Sequence, residues 1–335
     1  PLRMVMATTE PGGEVPASRI FFRGNPESPR EEVEPAEIMV LQRAMGKVTI
    51  PPHREEGRET TGRRLTYARH LTAGEHPLTA RVFVNRVWHH LFGRGLVSSV
   101  DNFGQMGQMP TNPALLDYLA LRFMKEGWSM KKLIREIMLS RVYQLSSSPE
   151  VSQEKVDLEN LLHWRQNRRR LQAEAIRDAI LSVSGSLEPK IGGPTVKPGT
   201  KTEYGYNFGG TRRTIYTPVF RNTLPEIMQV FDFADPNLVT GKRTTSSVAT
   251  QALFLMNNAF VGQQAKAAAS RLLAGQFPGN DAMATHAYHL ALGREPTVVE
   301  KGIILDFVKE SGSPEMAWTQ VFQSLFASAD FRYLD

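Results

Sequence analysis

After Pro77, the apolar residues Ala80, Val84, Val87, Trp88 and Leu91 recur at the i, i+4, i+7, i+8 and i+11 spacing of one helical face. Gly93 follows as a C-terminal stop. Asn112 can cap a second helix with Pro113 in its first turn, where the missing N–H costs nothing. There Leu115, Leu116, Leu119, Ala120 and Phe123 share a face opposite Asp117, Arg122 and Lys125, and Gly127 ends the run. Ser129 caps a third helix, with Leu133, Ile134, Ile137 and Met138 turned to the core. Three such helices joined by short turns read as an antiparallel bundle. A fourth is expected from an Asn167 cap to about Val183, its core face Leu171, Ala175, Ile176, Ala179, Ile180 and Val183 and its polar side Arg170, Glu174, Arg177 and Asp178. The chain is helical again from Pro225. Thr297 with Glu300 spells a capping box, Ser313-Pro314 is another start, and Trp318, Val321, Phe322, Leu325 and Phe326 form the last apolar stripe.

Between these runs the period is lost. Arg3–Thr9 and Ser18–Arg23 read as short strands around a Pro-Gly-Gly turn, a potential hairpin, and the polar stretch Pro51–Arg64 reads as a loop. Residues 94–112 form a long Gly-rich loop. Residues 185–222 are broken by Gly185, Gly192, Gly193, Pro194, Pro198 and Gly199, with Arg212–Val219 alternating weakly as a strand would. With no βαβ alternation, the expectation is a mainly α fold: a multi-helix bundle with a few short strands near the N-terminus and in the mid-chain irregular region. The expected parts are an N-terminal irregular or hairpin segment (1–62), a first helical bundle (63–190), a Gly/Pro-rich connection with a short strand (191–222) and a second bundle (223–335) packed as one unit with the first.

The 335 residues are 41% hydrophobic and 22% charged, a globular composition, and no apolar run reaches membrane-spanning length. The absence of cysteine excludes disulfides, thiolate metal sites, a cysteine nucleophile and c-type haem attachment on this chain. The sequence opens on Pro1 without an initiator Met, as expected of a piece of a longer chain. Net charge is +6, split as +8 over residues 1–243 and −2 over 244–335. A basic front half suits an anionic partner, but basic and aromatic residues do not interleave as in a nucleic-acid module, so nucleic acid is not the expected partner.

Familiar catalytic patterns fail. Phe92–Val97 (FGRGLV) follows a helix instead of a strand and reads as a cap. Ser129-Met-Lys-Lys132 is better explained by the Ser129 cap than as a nucleophile pair. His286 with His289, and His89 with His90, lack a third ligand nearby, and Asp101-Asn102 lacks the alternating acidic loop of a calcium site, so no metal is read from the sequence. What remains is a scattered polar set: Asn85, Arg86, Asp101, Asn102, Glu174, Arg177, Asp178, Arg212, Arg213, Asp232 and Arg243, with Asp235 and Lys242 beside the last two. If these converge, the preferred expectation is an Arg–carboxylate network fixing the packing of the two halves. The alternative is a polar pocket whose carboxylates act as acid and base on a carbohydrate-like substrate.

Asn85-Arg86-Val87-Trp88, Phe92–Val97, Asp101-Asn102-Phe103-Gly104, Gly127-Trp128, Ser140–Tyr143, Arg177-Asp178, Gly192-Gly193-Pro194, Arg212-Arg213, Gln251-Ala252-Leu253 and Leu292–Pro296, in this order, resemble the planctomycete surface domain, a family of unknown function. The resemblance implies a non-catalytic binding or scaffold module of an exported multidomain bacterial protein, periplasmic or at the cell surface. Its implied partners are other domains of the parent, a c-type cytochrome-like domain among them, or a surface polysaccharide. Any haem would then lie in those other domains, with no cofactor in this chain.

Overall fold

A computed structural model describes residues 17–52 and 60–334. The fold is mainly α, and the chain divides into two compact units, 1–143 and 144–335.

The first unit opens with strands β1 (Ser18–Phe21) and β2 (Pro29–Val33), paired antiparallel and exposed throughout. The strand partner of Ser18–Phe21 is therefore the later Pro29–Val33 segment; Arg3–Thr9 lies outside the described residues. Helices α1 (Met39–Met45) and α2 (Arg63–Thr72) follow, and α2 buries no side chain. The apolar core of this unit comes from α3 (Thr79–Phe92), α4 (Pro113–Lys125) and α5 (Met130–Met138). Trp88 stacks on Phe92 and Phe83 on Phe123. Asn112 accepts from Leu115 N–H and Ser129 from Lys132 N–H, so both expected caps form. Gly93, at φ 80°, takes the left-handed stop.

The second unit begins with the short helix α6 (Val151–Glu154) and strand β3 (Arg169–Arg170), then α7 (Ala173–Ser184). Further helices are α8 (Glu226–Val230), α9 (Ala249–Asn257), α10 (Ala259–Leu273), α11 (Asn280–Leu292), α12 (Val298–Glu310), α13 (Pro314–Ala327) and α14 (Ala329–Arg332), and β4 (Tyr333–Leu334) ends the series. The start of α7 differs from expectation. Asn167 accepts from the Asn160 side chain instead of capping a helix, and Arg169–Arg170 pair with Leu334 and Tyr333. Leu171 N–H also donates to Arg332 C=O. The chain stays extended through this pairing, so the helix starts only at Ala173. This helix packs on α10, within the unit that begins at Gln144. The Arg212–Val219 strand is a single bridge from Arg212 to Glu188, followed by a 3-10 turn at Thr214–Tyr216.

The core of this unit is centred on α10 and α13. Ala265, Ala268 and Ala269 have no exposed surface, and across from them stand Trp318, Phe322 and Phe326, equally enclosed. Small residues on one helix admit large rings from the other, which leaves no room for growth. Ala268→Leu is expected to destabilise the chain by about 1–3 kcal/mol, measured as a shift in urea midpoint at unchanged slope.

Candidate functional site

Asn85, Arg86, Asp101 and Asn102 belong to the first unit. Asn85 is fully buried and pins the start of the 94–112 loop: its Nδ2 donates to Val97 C=O at 2.9 Å and its Oδ1 accepts from Val97 N–H at 2.8 Å. Gly95 makes this approach possible, since a Cβ there would stand 2.8 Å from the Asn85 amide nitrogen. Asn102 Oδ1 accepts from Gly104 N–H in a local turn, while Arg86 and Asp101 are exposed. In this unit the expected set thus shapes a loop.

The remaining members lie in the second unit, where α7 gathers most of them. Arg177, assigned by the helical pattern to the polar side, is buried instead. It donates to Gly210 C=O, to Arg212 C=O at 3.1 Å and to Thr214 Oγ1 at 3.0 Å. Burial lowers its pKa from the ordinary value, opposed by the charge of Asp178, but a guanidinium stays protonated. Asp178 accepts from Thr214 N–H at 2.7 Å and Thr214 Oγ1 at 2.6 Å. Arg212 donates to the carbonyls of Lys190 and Pro194 and lies 4.0 Å from the Tyr216 ring centre. Arg213 is exposed. Glu174 accepts from Arg243 at 2.8 Å, and Arg243 rests on Phe233. Asp232, at φ 57°, accepts from Arg170 at 2.5 Å and from Ser246 N–H at 2.8 Å; Ser246 Oγ in turn accepts from the fully buried Gln251. Each of these carboxylates is turned toward a guanidinium or a backbone N–H that fixes the chain.

Two further features escaped the sequence. One is an open groove of about 500 Å³ between α11, α12 and α13. Leu292, Ile303, Phe307 and Val321 make its apolar wall, and Arg294 closes one end between Glu300 (2.7 Å) and Asp330 (2.5 Å). Glu300 also completes the expected capping box with Thr297. Hydrogen bonding to Arg294 holds the Glu300 carboxyl down at about 2. The other, in the first unit, is a buried carboxylate, Glu37, with His70 Nε2 at 3.2 Å and His76 Nε2 at 3.6 Å, all on the same oxygen, Oε2. Burial lowers the His76 pKa against the pull of the Glu37 charge, and burial together with that charge raises Tyr67. Glu37 and His70 lie 33 positions apart, so no local spacing could reveal them.

Two outcomes follow. Arg177→Lys, which removes the planar fork while keeping the charge, is expected to lower stability by about 1–3 kcal/mol by leaving carbonyls unpaired, checked by denaturant unfolding. Glu300 has a depressed folded pKa, so its contribution is present above the ordinary value of 4.5 and is lost as pH falls toward about 2. Glu300→Gln should therefore lie below wild type in thermal midpoint at pH 6, and the gap should close between pH 4.5 and 2.

A family model for PSD1, a protein of unknown function (DUF1553), matches residues 63–308. No curated protein and no solved structure matches the chain. No helix among the described residues is long and apolar enough to cross a membrane. On that match, which takes in both the 94–112 loop and the arginine network around α7, the chain belongs to the PSD1 (DUF1553) family, a planctomycete-type domain of unknown function.

Proposed function

We propose that this chain is a non-catalytic binding module of an exported multidomain protein, and that the groove between α11, α12 and α13 is its docking surface for an apolar segment of a neighbouring domain. The observation that carries the reading is the groove's wall. Ile303 is 64% exposed and Phe307 40%, side by side on α12 one turn apart and continuous with Leu292 and Val321. An apolar stripe of this kind takes the apolar face of a helix or strand. A polysaccharide would instead call for aromatic platforms ringed by free hydrogen-bonding groups. The polar end of the groove is occupied by Arg294, Glu300 and Asp330 holding one another, which leaves a single net negative charge to meet a basic residue of the partner.

The enzyme reading fares worse on the same residues. A general acid needs a carboxyl whose pKa is raised toward neutrality, whereas Arg294 drives Glu300 the opposite way. Glu174, Asp178 and Asp232 are engaged with Arg243, Thr214, and Arg170 and Ser246 respectively. The family resemblance suggests a c-type cytochrome-like domain as the neighbour and an extracytoplasmic location. A haem of that type would sit in the neighbour, because its attachment needs cysteines that this chain lacks.

The test mixes this chain with the separately expressed remainder of its parent and measures association by calorimetry. Association is expected, with Ile303→Glu and Phe307→Glu each weakening it at least about tenfold, the effect of ~1.4 kcal/mol, while Lys190→Glu leaves it unchanged. No association, or association indifferent to both α12 substitutions, would remove the groove from this role.

A further inference from the structure

The front of the first unit poses a physical problem. Strands β1 and β2 are exposed along their whole length and α2 contributes no buried side chain. Apolar burial therefore does little to hold this region, and proteins short of apolar core recruit other staples, metal ions among them. At this place the chain instead buries a carboxylate. Glu37 is 4% exposed, which is costly for a charge without strong partners.

Its position is well fixed. Ala36 bridges to Thr49, Gln42 Nε2 donates to Glu37 C=O at 2.6 Å, and Ile38 N–H donates to Glu37 Oε1 at 2.7 Å. Oε2 faces His70, on the last turn of α2, and His76, in the turn before α3, and the carboxylate also takes a hydrogen bond from Tyr67. Glu37, His70 and His76 each offer one ligand atom, and the three atoms all lie within 4.8 Å of one another. Two atoms each bound at roughly 2.0–2.1 Å to a tetrahedral zinc stand roughly 3.3–3.4 Å apart. The observed separations of 3.2 and 3.6 Å from Oε2 bracket that value.

We infer that Glu37, His70 and His76 form a binding site for a zinc-type divalent cation, which ties the Ala36–Gln42 segment to α2 and to the turn ahead of α3. Two imidazoles and a carboxylate suit zinc above calcium or magnesium, whose sites are built from oxygen. Three protein ligands leave a fourth position for water. The His70 side chain, 19% exposed, gives the ion a way in.

The proton on His76 sets a further requirement. Its Nδ1 lies 2.9 Å from Thr79 Oγ1 and accepts from the N–H groups of Leu78 and Thr79 at 3.3 and 3.2 Å. That arrangement places the proton of the neutral ring on Nε2, toward Glu37. Coordination through Nε2 requires the other tautomer: the proton moves to Nδ1 and is donated to Thr79 Oγ1, at the cost of the two contacts that Nδ1 accepts from the Leu78 and Thr79 N–H groups. Thr79 thus becomes the outer partner that orients the ligand. This site lies in the first unit and is independent of the groove.

The experiment strips the purified chain with a chelator and titrates it with zinc by calorimetry, and with cobalt(II) by visible absorption. One equivalent is expected to bind, with the intense d–d bands of tetrahedral cobalt and a higher thermal midpoint. His70→Gln, at a partly exposed position that tolerates change, is expected to weaken zinc binding by more than the roughly 10- to 100-fold that losing an outer partner costs. Thr79→Val should fall within that roughly 10- to 100-fold range, and the double variant His286→Gln, His289→Gln should bind as wild type. Absence of saturable binding in the wild-type chain would overturn the assignment. So would binding that survives both His70→Gln and Glu37→Gln unchanged, or that the His286, His289 pair abolishes.

Discussion

The second unit depends on arginine supplying hydrogen bonds that its longest irregular stretch cannot make for itself. From Gly185 to Val248 the chain holds only a 3-10 turn and the five-residue α8 as helix, so most of its carbonyls lack a ladder. A buried carbonyl without a donor costs more than a made bond gains. Arg177 answers from inside the unit, gathering Gly210, Arg212 and Thr214 with one planar group. Arg212 does the same at the surface for Lys190 and Pro194, braced by Tyr216. A lysine ammonium is a point charge and cannot hold several carbonyls in one plane.

The same construction decides what the acidic residues can do. Asp178, Asp232 and Glu174 each face a guanidinium or a backbone N–H that fixes their orientation. Glu300 shows the consequence most clearly, held near 2 by Arg294 while it also caps α12. Acid–base catalysis needs two carboxyls driven apart in pKa by their surroundings. At Glu300 the surroundings instead lower the pKa, which serves rigidity.

What was legible in the sequence was local. The stripes of α3, α4, α5 and α13 and the caps at Asn112, Ser129, Thr297 and Ser313 follow from local spacings and are present, except that Met138, expected on the core face of α5, is exposed. What was not legible depends on residues distant in sequence. Arg177 occupies a polar position by period, yet is drawn inward because carbonyls more than thirty residues on need a donor. Asn167 has the look of a cap, but the strand partner at Tyr333–Leu334 keeps the chain extended past it. The Glu37 cluster joins a residue before α1 to the end of α2, a contact with no periodic signature. Which carbonyls the arginines serve was not legible either, since carbonyls carry no mark in a sequence.

Both units therefore meet the same shortage, segments without an apolar face, by focusing polar groups on one hub, but the hubs have opposite sign. In the second unit the hub is a cation, and what it gathers are two carbonyl oxygens and a threonine hydroxyl, none of which changes its protonation state near neutral pH. In the first unit the hub is an anion, Glu37, and what it gathers are imidazoles, whose nitrogens are donors or acceptors according to where the proton sits. Move those protons away and every group facing the centre presents a lone pair. A divalent cation can then take the place that hydrogen bonds held, at almost the same spacing. A guanidinium hub offers no such exchange, so of the two solutions only the anionic one leaves room for an ion.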